Sequence, residues 1–143
     1  MADRAVVLVV EDDPETRAFL QTALREELGL AVAVARDGAE AVERARRHKP
    51  AVVLLDIHLP ELDGYAVAQR LKADSRTEDA FLIALTGRGE PRQAAAAGFD
   101  RYLNKPIDID HLLVAIEAGL MEHHRRKITL FRARGESRDT GTG

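Results

Sequence analysis

The sequence predicts an α/β domain built on one five-stranded parallel sheet, doubly wound, with five helices. Three observations carry this. Short valine-rich apolar runs recur along the 143 residues, and most are followed by a stretch with apolar residues at helical spacing. The clearest run, Ala51-Val-Val-Leu-Leu-Asp56, places five apolar residues before one carboxylate. That is the pattern of a strand buried on both faces of a parallel sheet. The two kinds of segment alternate strictly, which implies right-handed crossovers and helices on both sheet faces.

Each element has a local reason. The run Ala5-Val-Val-Leu-Val-Val10 is the first strand and leads into Glu11-Asp12-Asp13. Asp13-Pro14 opens a helix, because aspartate caps orphan amides and proline fits the first helical position. Phe19, Leu20, Ala23, Leu24 and Leu28 form its apolar stripe, and Gly29 ends it. Ala31-Val-Ala-Val-Ala35 is the second strand. Asp37-Gly-Ala-Glu40 has capping-box spacing with aspartate at the cap, predicting a helix to about Lys49 that Pro50 stops. The third strand ends at Asp56. Leu59-Pro60 and Asp63-Gly64 mark a loop, and a helix follows from about Tyr65 to Ala73. Phe81-Leu-Ile-Ala-Leu85 is the fourth strand, ending at Thr86. A short helix from about Pro91 to Ala97 closes at Gly98, and Arg101 to Asn104 is a brief fifth strand. The last helix starts near Asp108, with Leu112, Leu113, Ile116 and Leu120 on one face. The domain is expected to occupy residues 1–121. Residues 122–143 then form a basic, polar tail, disordered from Arg134 to Gly143.

Composition narrows the function. Apolar residues make up 45% and charged residues 31%, a globular balance with room for one core. There is no cysteine, so disulfides, thiolate metal sites and a cysteine nucleophile are excluded. No apolar run approaches the roughly 20 residues that span a bilayer, and Met1-Ala-Asp-Arg4 lacks signal-peptide architecture. A cytoplasmic protein with no membrane partner is the expectation. The net charge is −3, yet after Leu120-Met121 six Lys/Arg face three Asp/Glu, so the body is the acidic part. An acidic body disfavours nucleic acid as a partner of the main surface.

The strand ends carry the chemistry. In open α/β sheets, ligands bind at the carboxyl edge. Glu11, Asp12 and Asp13 follow the first strand, Asp56 ends the third, Thr86 the fourth, and Lys105 follows the fifth. Hard carboxylate oxygens suit Mg²⁺. A hydroxyl and an ammonium suit phosphoryl oxygens. A carboxylate is itself a nucleophile that can form an aspartyl phosphate. Taken singly, each residue has a plainer role: Asp56 a cap or turn former, Thr86 a turn residue, Lys105 a solvated charge, Tyr102 edge-strand packing. Asp13 reads as the helix cap. Joint occurrence at strand ends favours the site.

These motifs resemble the response-regulator receiver domain of two-component signalling, from about Ala5 to about Leu120. The matching stretches are Val-Val-Glu11-Asp12, Leu-Leu-Asp56-Ile-His-Leu-Pro60 with Asp63-Gly64, Ala-Leu-Thr86-Gly87, and Tyr102-Leu-Asn-Lys105-Pro106. The resemblance implies a flavodoxin-like sheet of order 2-1-3-4-5. It implies Asp56 as phosphoacceptor, and a Mg²⁺ site made by Glu11, Asp12, Asp56 and the main-chain carbonyl of His58. Thr86, Gly87 and Lys105 would bind the phosphoryl group, and Lys105-Pro106 would be a cis peptide. Thr86 and Tyr102 would form the switch, the aromatic turning inward when Thr86 moves. The His58 side chain is expected at the mouth of the site, with only its carbonyl at work. The implied donor is a sensor histidine kinase or histidine phosphotransfer protein. The output is an unidentified protein target, and homodimerisation is left open. The domain would be a switch rather than a turnover enzyme, stand-alone and without a DNA-binding effector.

Three departures from the family pattern stand out. The interval between Thr86 and Lys105 is short, so the fourth helix should lack about one turn. His58 and Arg88 each lie two places after a site residue, where they would slow or redirect hydrolysis of an aspartyl phosphate. The chain ends soon after the fifth helix, although it could be a piece of a longer kinase-receiver protein. An aspartate-based phosphatase is the enzyme alternative, but His58 stands where such enzymes carry a second aspartate, and no cap domain is visible. Dinucleotide and P-loop binding lack a glycine-rich loop after the first strand. A further alternative puts function in Arg125-Arg-Lys127, Arg132 and Arg134, with Ile128-Thr-Leu-Phe131 as an apolar anchor. His123-His124 reads as a helix end.

Overall fold

The computed structural model describes residues 5–87 and 91–142. Its elements alternate as β1 (Val6–Val10), α1 (Pro14–Leu28), β2 (Ala31–Ala35), α2 (Gly38–His48), β3 (Val52–Asp56), α3 (Gly64–Ala73), β4 (Phe81–Thr86), α4 (Pro91–Ala97), β5 (Arg101–Asn104) and α5 (Ile109–Thr142). The strands form one parallel sheet of order β2-β1-β3-β4-β5. Both the alternation and the order are as expected.

The three inner strands explain the apolar runs. Alternate side chains point to opposite faces of a sheet, and here both faces are covered. Leu8, Val10, Val53, Leu55, Leu82 and Ala84 pack with Ala41, Ala45, Val67, Leu71 and Ala94 of α2, α3 and α4. Val7, Val9, Val52, Leu54, Ile83 and Leu85 pack with Leu20, Leu24, Leu112 and Ile116 of α1 and α5. Edge strand β5 is mostly exposed, which is why its run is short and mixed.

Aspartates set where four helices begin. Asp13 accepts from Thr16 N at 3.0 Å, Asp37 from Glu40 N at 2.8 Å, Asp63 from Ala66 N at 2.9 Å and Asp108 from His111 N at 3.0 Å. Each cap satisfies a first-turn amide. In the expected capping box, the Glu40 carboxylate faces Arg36 and Arg44, at 3.5 and 3.8 Å. Gly29 closes α1 with φ of 62°, a left-handed position glycine adopts without cost. In α5, a Cβ at Gly119 would lie 2.7 Å from the Phe81 ring and 2.9 Å from Val52 Cγ2, so the helix seats directly on the sheet.

Two expectations are corrected. Phe19 does not join the buried stripe of α1; it is 51% exposed, because Leu20 and Leu24 hold the centre of that face. The stretch from residue 122 is helical rather than irregular, since α5 runs unbroken to Thr142. Its hold is tertiary. Arg126 donates to Asp100 Oδ1 at 2.6 Å and to the Ala80 carbonyl at 3.2 Å, and its guanidinium lies 5.6 Å from the centre of the Phe81 ring. His123 pairs with Asp79 at 3.3 Å. These contacts carry the helix past the amino edge of the sheet.

Candidate functional site

The carboxyl ends of β1, β3 and β5 meet at one point. Glu11 leaves β1 and is fully buried; Asp56 ends β3 and is 4% exposed; Asp12 faces solvent. One carboxylate oxygen from each lies within 4.8 Å of the others. Lys105, just after β5, donates to Glu11 Oε1 at 2.9 Å and to Asp56 Oδ2 at 3.0 Å. The other Asp56 oxygen accepts from His58 N at 2.9 Å. Three carboxylates thus share one nearby ammonium, and the rim keeps an excess of negative charge that a divalent cation would balance.

Electrostatics follow from burial. Desolvation pushes Glu11 up to about 7, Asp56 adds to the rise, and the Lys105 ammonium opposes it. For Lys105, burial pulls the ammonium down, but its bonds to Glu11 and Asp56 outweigh this and hold its proton more tightly. Asp13 is held below the usual carboxylate range by the Thr16 hydroxyl and amide, as its capping role requires.

The remaining predicted residues fall around this rim. Thr86 ends β4, is 1% exposed, and its carbonyl accepts from Lys105 N at 2.7 Å. Gly87 follows it, with open space where a side chain would stand. Tyr102 pairs with Ala84 in the β4–β5 register and is 40% exposed. His58 is exposed, and the Lys105-Pro106 bond is cis. Arg88 lies outside the described residues.

The β3–α3 loop is shaped by close approach. A Cβ at Gly64 would sit 2.7 Å from Ile57 Cα and 2.8 Å from the Asp56 carbonyl, while Gly64 N donates to Ile57 O at 2.9 Å. Glu61 holds a left-handed φ of 67° in the same loop. The sequence reading missed two supports. Arg17 reaches back to the Glu11 carbonyl at 3.0 Å, and its six-residue spacing, across the turn and into α1, was the available signal. Asp100 accepts from Leu82 N at 2.8 Å and had no local signal.

Comparison with known proteins agrees with this geometry. The family model for the response regulator receiver domain matches residues 7–117. Response regulator Rre1 of Synechocystis is 35% identical over 115 residues, covering 78% of this chain and 50% of that protein. The chain spans about half the length of the first curated relatives it matches. Among solved structures, the receiver domain of a Pseudomonas aeruginosa sensor histidine kinase, described with a magnesium ion in its active-site cleft, superposes with TM-score 0.75 at 30% identity. That match covers 82% of this chain and 98% of that one. Chemotaxis protein CheY4 of Vibrio cholerae superposes with TM-score 0.77 at 26% identity, over 82% of this chain and 100% of that one. The chain belongs to the response-regulator receiver-domain family.

Proposed function

We propose that this chain is a phosphoacceptor switch: a sensor histidine kinase or histidine phosphotransfer protein transfers a phosphoryl group onto Asp56, with Mg²⁺ bound beside it. One observation carries this reading. Glu11, Asp12 and Asp56 bring carboxylate oxygens within 4.8 Å of one another, and Lys105 Nζ bridges Glu11 and Asp56. A hard, oxygen-only donor set suits Mg²⁺, and the exposed Asp12 leaves room for water ligands. The three carboxylates and the His58 main-chain carbonyl would hold the ion. When bound, it neutralises charge on the transferring group and keeps the carboxylates ionised.

An Asp56 oxygen attacks the phosphorus of a phosphoimidazole. The P–O bond forms, the P–N bond breaks, and its electron pair returns to the imidazole nitrogen, which takes a proton. His58 N orients the acceptor carboxylate through Oδ1. Lys105, now 3.0 Å from Oδ2, moves its charge onto the new phosphoryl oxygens. Thr86 and Gly87, at the end of β4, supply the hydroxyl and an amide to that group. Drawing Thr86 toward it frees space that Tyr102, now 40% exposed, turns to fill. The altered β4–β5 surface then binds a protein target, and homodimerisation is one form that output could take. A cytoplasmic setting fits a kinase donor, and no helix among the described residues is long and apolar enough to cross a membrane.

The test is intact mass after incubation with Mg²⁺ and acetyl phosphate. One acid-stable, base-labile phosphoryl adduct is expected in the wild type and none in Asp56→Asn. An adduct that persists in Asp56→Asn, or none in the wild type with Mg²⁺ present, overturns the assignment.

A further inference from the structure

The amino edge of the sheet, opposite the acidic rim, is lined by basic residues. A cleft of about 670 Å³ opens there between the end of α2 and the continuation of α5. Ala5, Val6, Ala51 and Leu120 are its apolar lining. Its walls carry Arg47, His48 and Lys49 from α2 and its cap, and His123, His124 and Lys127 from α5. Among the described residues that line it there is no carboxylate, and Asp79 stands behind the α5 wall, 3.3 Å from His123.

The α2 residues alone would mean little. Cations in the last turn of a helix offset its partial negative charge, about half an elementary charge, and Arg47 pairs with Glu43 at 3.3 Å. The α5 residues have no such reason. They sit mid-helix, far from either terminus of Ile109–Thr142. Among the described residues, His48, Lys49, His124 and Lys127 form no ion pair. His123 meets Asp79 at 3.3 Å, and Arg47 remains 66% exposed at its side chain.

The α5 wall is built rather than incidental. Arg126, on the other flank of the same turn, is tied to Asp100 and Ala80, and this fixes where His123, His124 and Lys127 project. All three lie beyond residue 117, where the family match ends. The α5 wall therefore comes from the part of the helix beyond that match, and the α2 wall from within it. Its volume falls within the range of small-ligand pockets, roughly 300–1,000 Å³. Its donors are two ammonium groups, a guanidinium and three imidazoles, all of which bond well to phosphate oxygens.

We propose that this cleft binds a compact chain of phosphates, as carried by a nucleoside triphosphate or an inorganic polyphosphate. Lys49 and Lys127 line it free of ion pairs, with Arg47 and three imidazoles beside them on two walls, so a ligand with several linked phosphates engages more of these groups than a single phosphate does. The acidic rim repels the same ligand in the absence of divalent metal, which keeps the two sites separable.

The experiment titrates the full-length chain with tripolyphosphate, ATP and orthophosphate in metal-free buffer, following histidine side-chain resonances. The five histidines supply internal controls. His48, His123 and His124 should shift with saturation, while His58 and His111 stay unmoved. Tripolyphosphate should bind at least about tenfold more tightly than orthophosphate. Lys49→Glu with Lys127→Glu should lose that binding by about tenfold or more, and Arg132→Glu, outside the cleft, should not. Tighter binding of ATP than of tripolyphosphate identifies the nucleotide as the source, and equal binding identifies the phosphate chain. Shifts at all five histidines, affinity equal to that of orthophosphate, or unchanged binding in the double variant would each overturn the proposal. Circular dichroism of the double variant checks that it is folded.

Discussion

Arg126→Ala should loosen the far half of α5 and cost the domain about 2 kcal/mol. The guanidinium makes a charge-assisted bond of 2.6 Å to Asp100 and a second bond of 3.2 Å to the Ala80 carbonyl. Hydrogen bonds to charged groups contribute about 1.5–3 kcal/mol, and stacking over an aromatic ring at a part-exposed site adds about 0.5–1 kcal/mol. Two factors reduce the total. The Arg126 side chain is 27% exposed, so solvent screens part of the pair. Lys72 also survives, bonding Ala80 O at 2.8 Å and lying 3.8 Å from Asp100, so neither acceptor is orphaned. A net loss of about 2 kcal/mol corresponds to roughly 4–8 °C in Tm for a chain of this size. Urea unfolding by circular dichroism measures it, and the helical signal should fall before denaturant is added, as the released end frays. A cycle with Asp100→Asn should return a coupling of about 1 kcal/mol or more. A loss under about 0.5 kcal/mol with full helicity would show that the extension stands without its latch, and the reasoning would fail.

Other expectations concern the rim and its supports. Because burial raises Glu11, the metal-free folded chain holds a proton that the unfolded chain has lost between pH 4.5 and about 7, so stability falls as pH rises through that window. Glu11→Gln should remove this slope: urea midpoints near those of the wild type below the window, and higher ones above it, where equal slopes would refute the cause. Mg²⁺ should stabilise the wild type by about 2.7 kcal/mol at a hundredfold excess over Kd, seen as a raised urea midpoint, and stabilise Asp12→Asn far less. Gly64→Ala forces a Cβ to within 2.7 Å of Ile57 Cα, so it should cost about 1–3 kcal/mol and slow acetyl phosphate labelling of Asp56, both measurable on one preparation. Asp63→Ala removes the cap on Ala66 N and should cost about 1 kcal/mol in urea unfolding.

Burial decides which features could be read in advance. The inner strands are covered on both faces, so Val7 to Val10, Val52 to Leu55 and Phe81 to Leu85 had to be apolar throughout and were visible as runs. Helix starts were visible because an aspartate cap is a local device. Asp56, Thr86 and Lys105 were visible because strands place their last residues at a common edge. The strand order came from family resemblance, since local pattern does not encode which strands are neighbours. The course of α5 was misread for a related reason. Its residues after Leu120 show little apolar periodicity, and the contact that holds them joins Arg126 to Asp100, 26 positions away. Phe19 was misassigned because spacing places a residue on a face without saying whether it sits at the centre or the margin.

The notch at Gly119 has a mechanical consequence. The helix rests there on Phe81 and Val52 with no side chain between, and the Arg126 latch two turns further on pins its far arm, so only with that latch released can the helix rock about Gly119. At about 1.5 Å per residue, Ile109, near the acidic rim, lies roughly 15 Å from the fulcrum, and Thr142 lies roughly 35 Å beyond it. The arms are unequal. With the latch released, an ångström of displacement at the rim becomes more than two at the distal tip, so the Arg126 contact decides whether α5 enlarges small movements at one edge of the sheet or holds still.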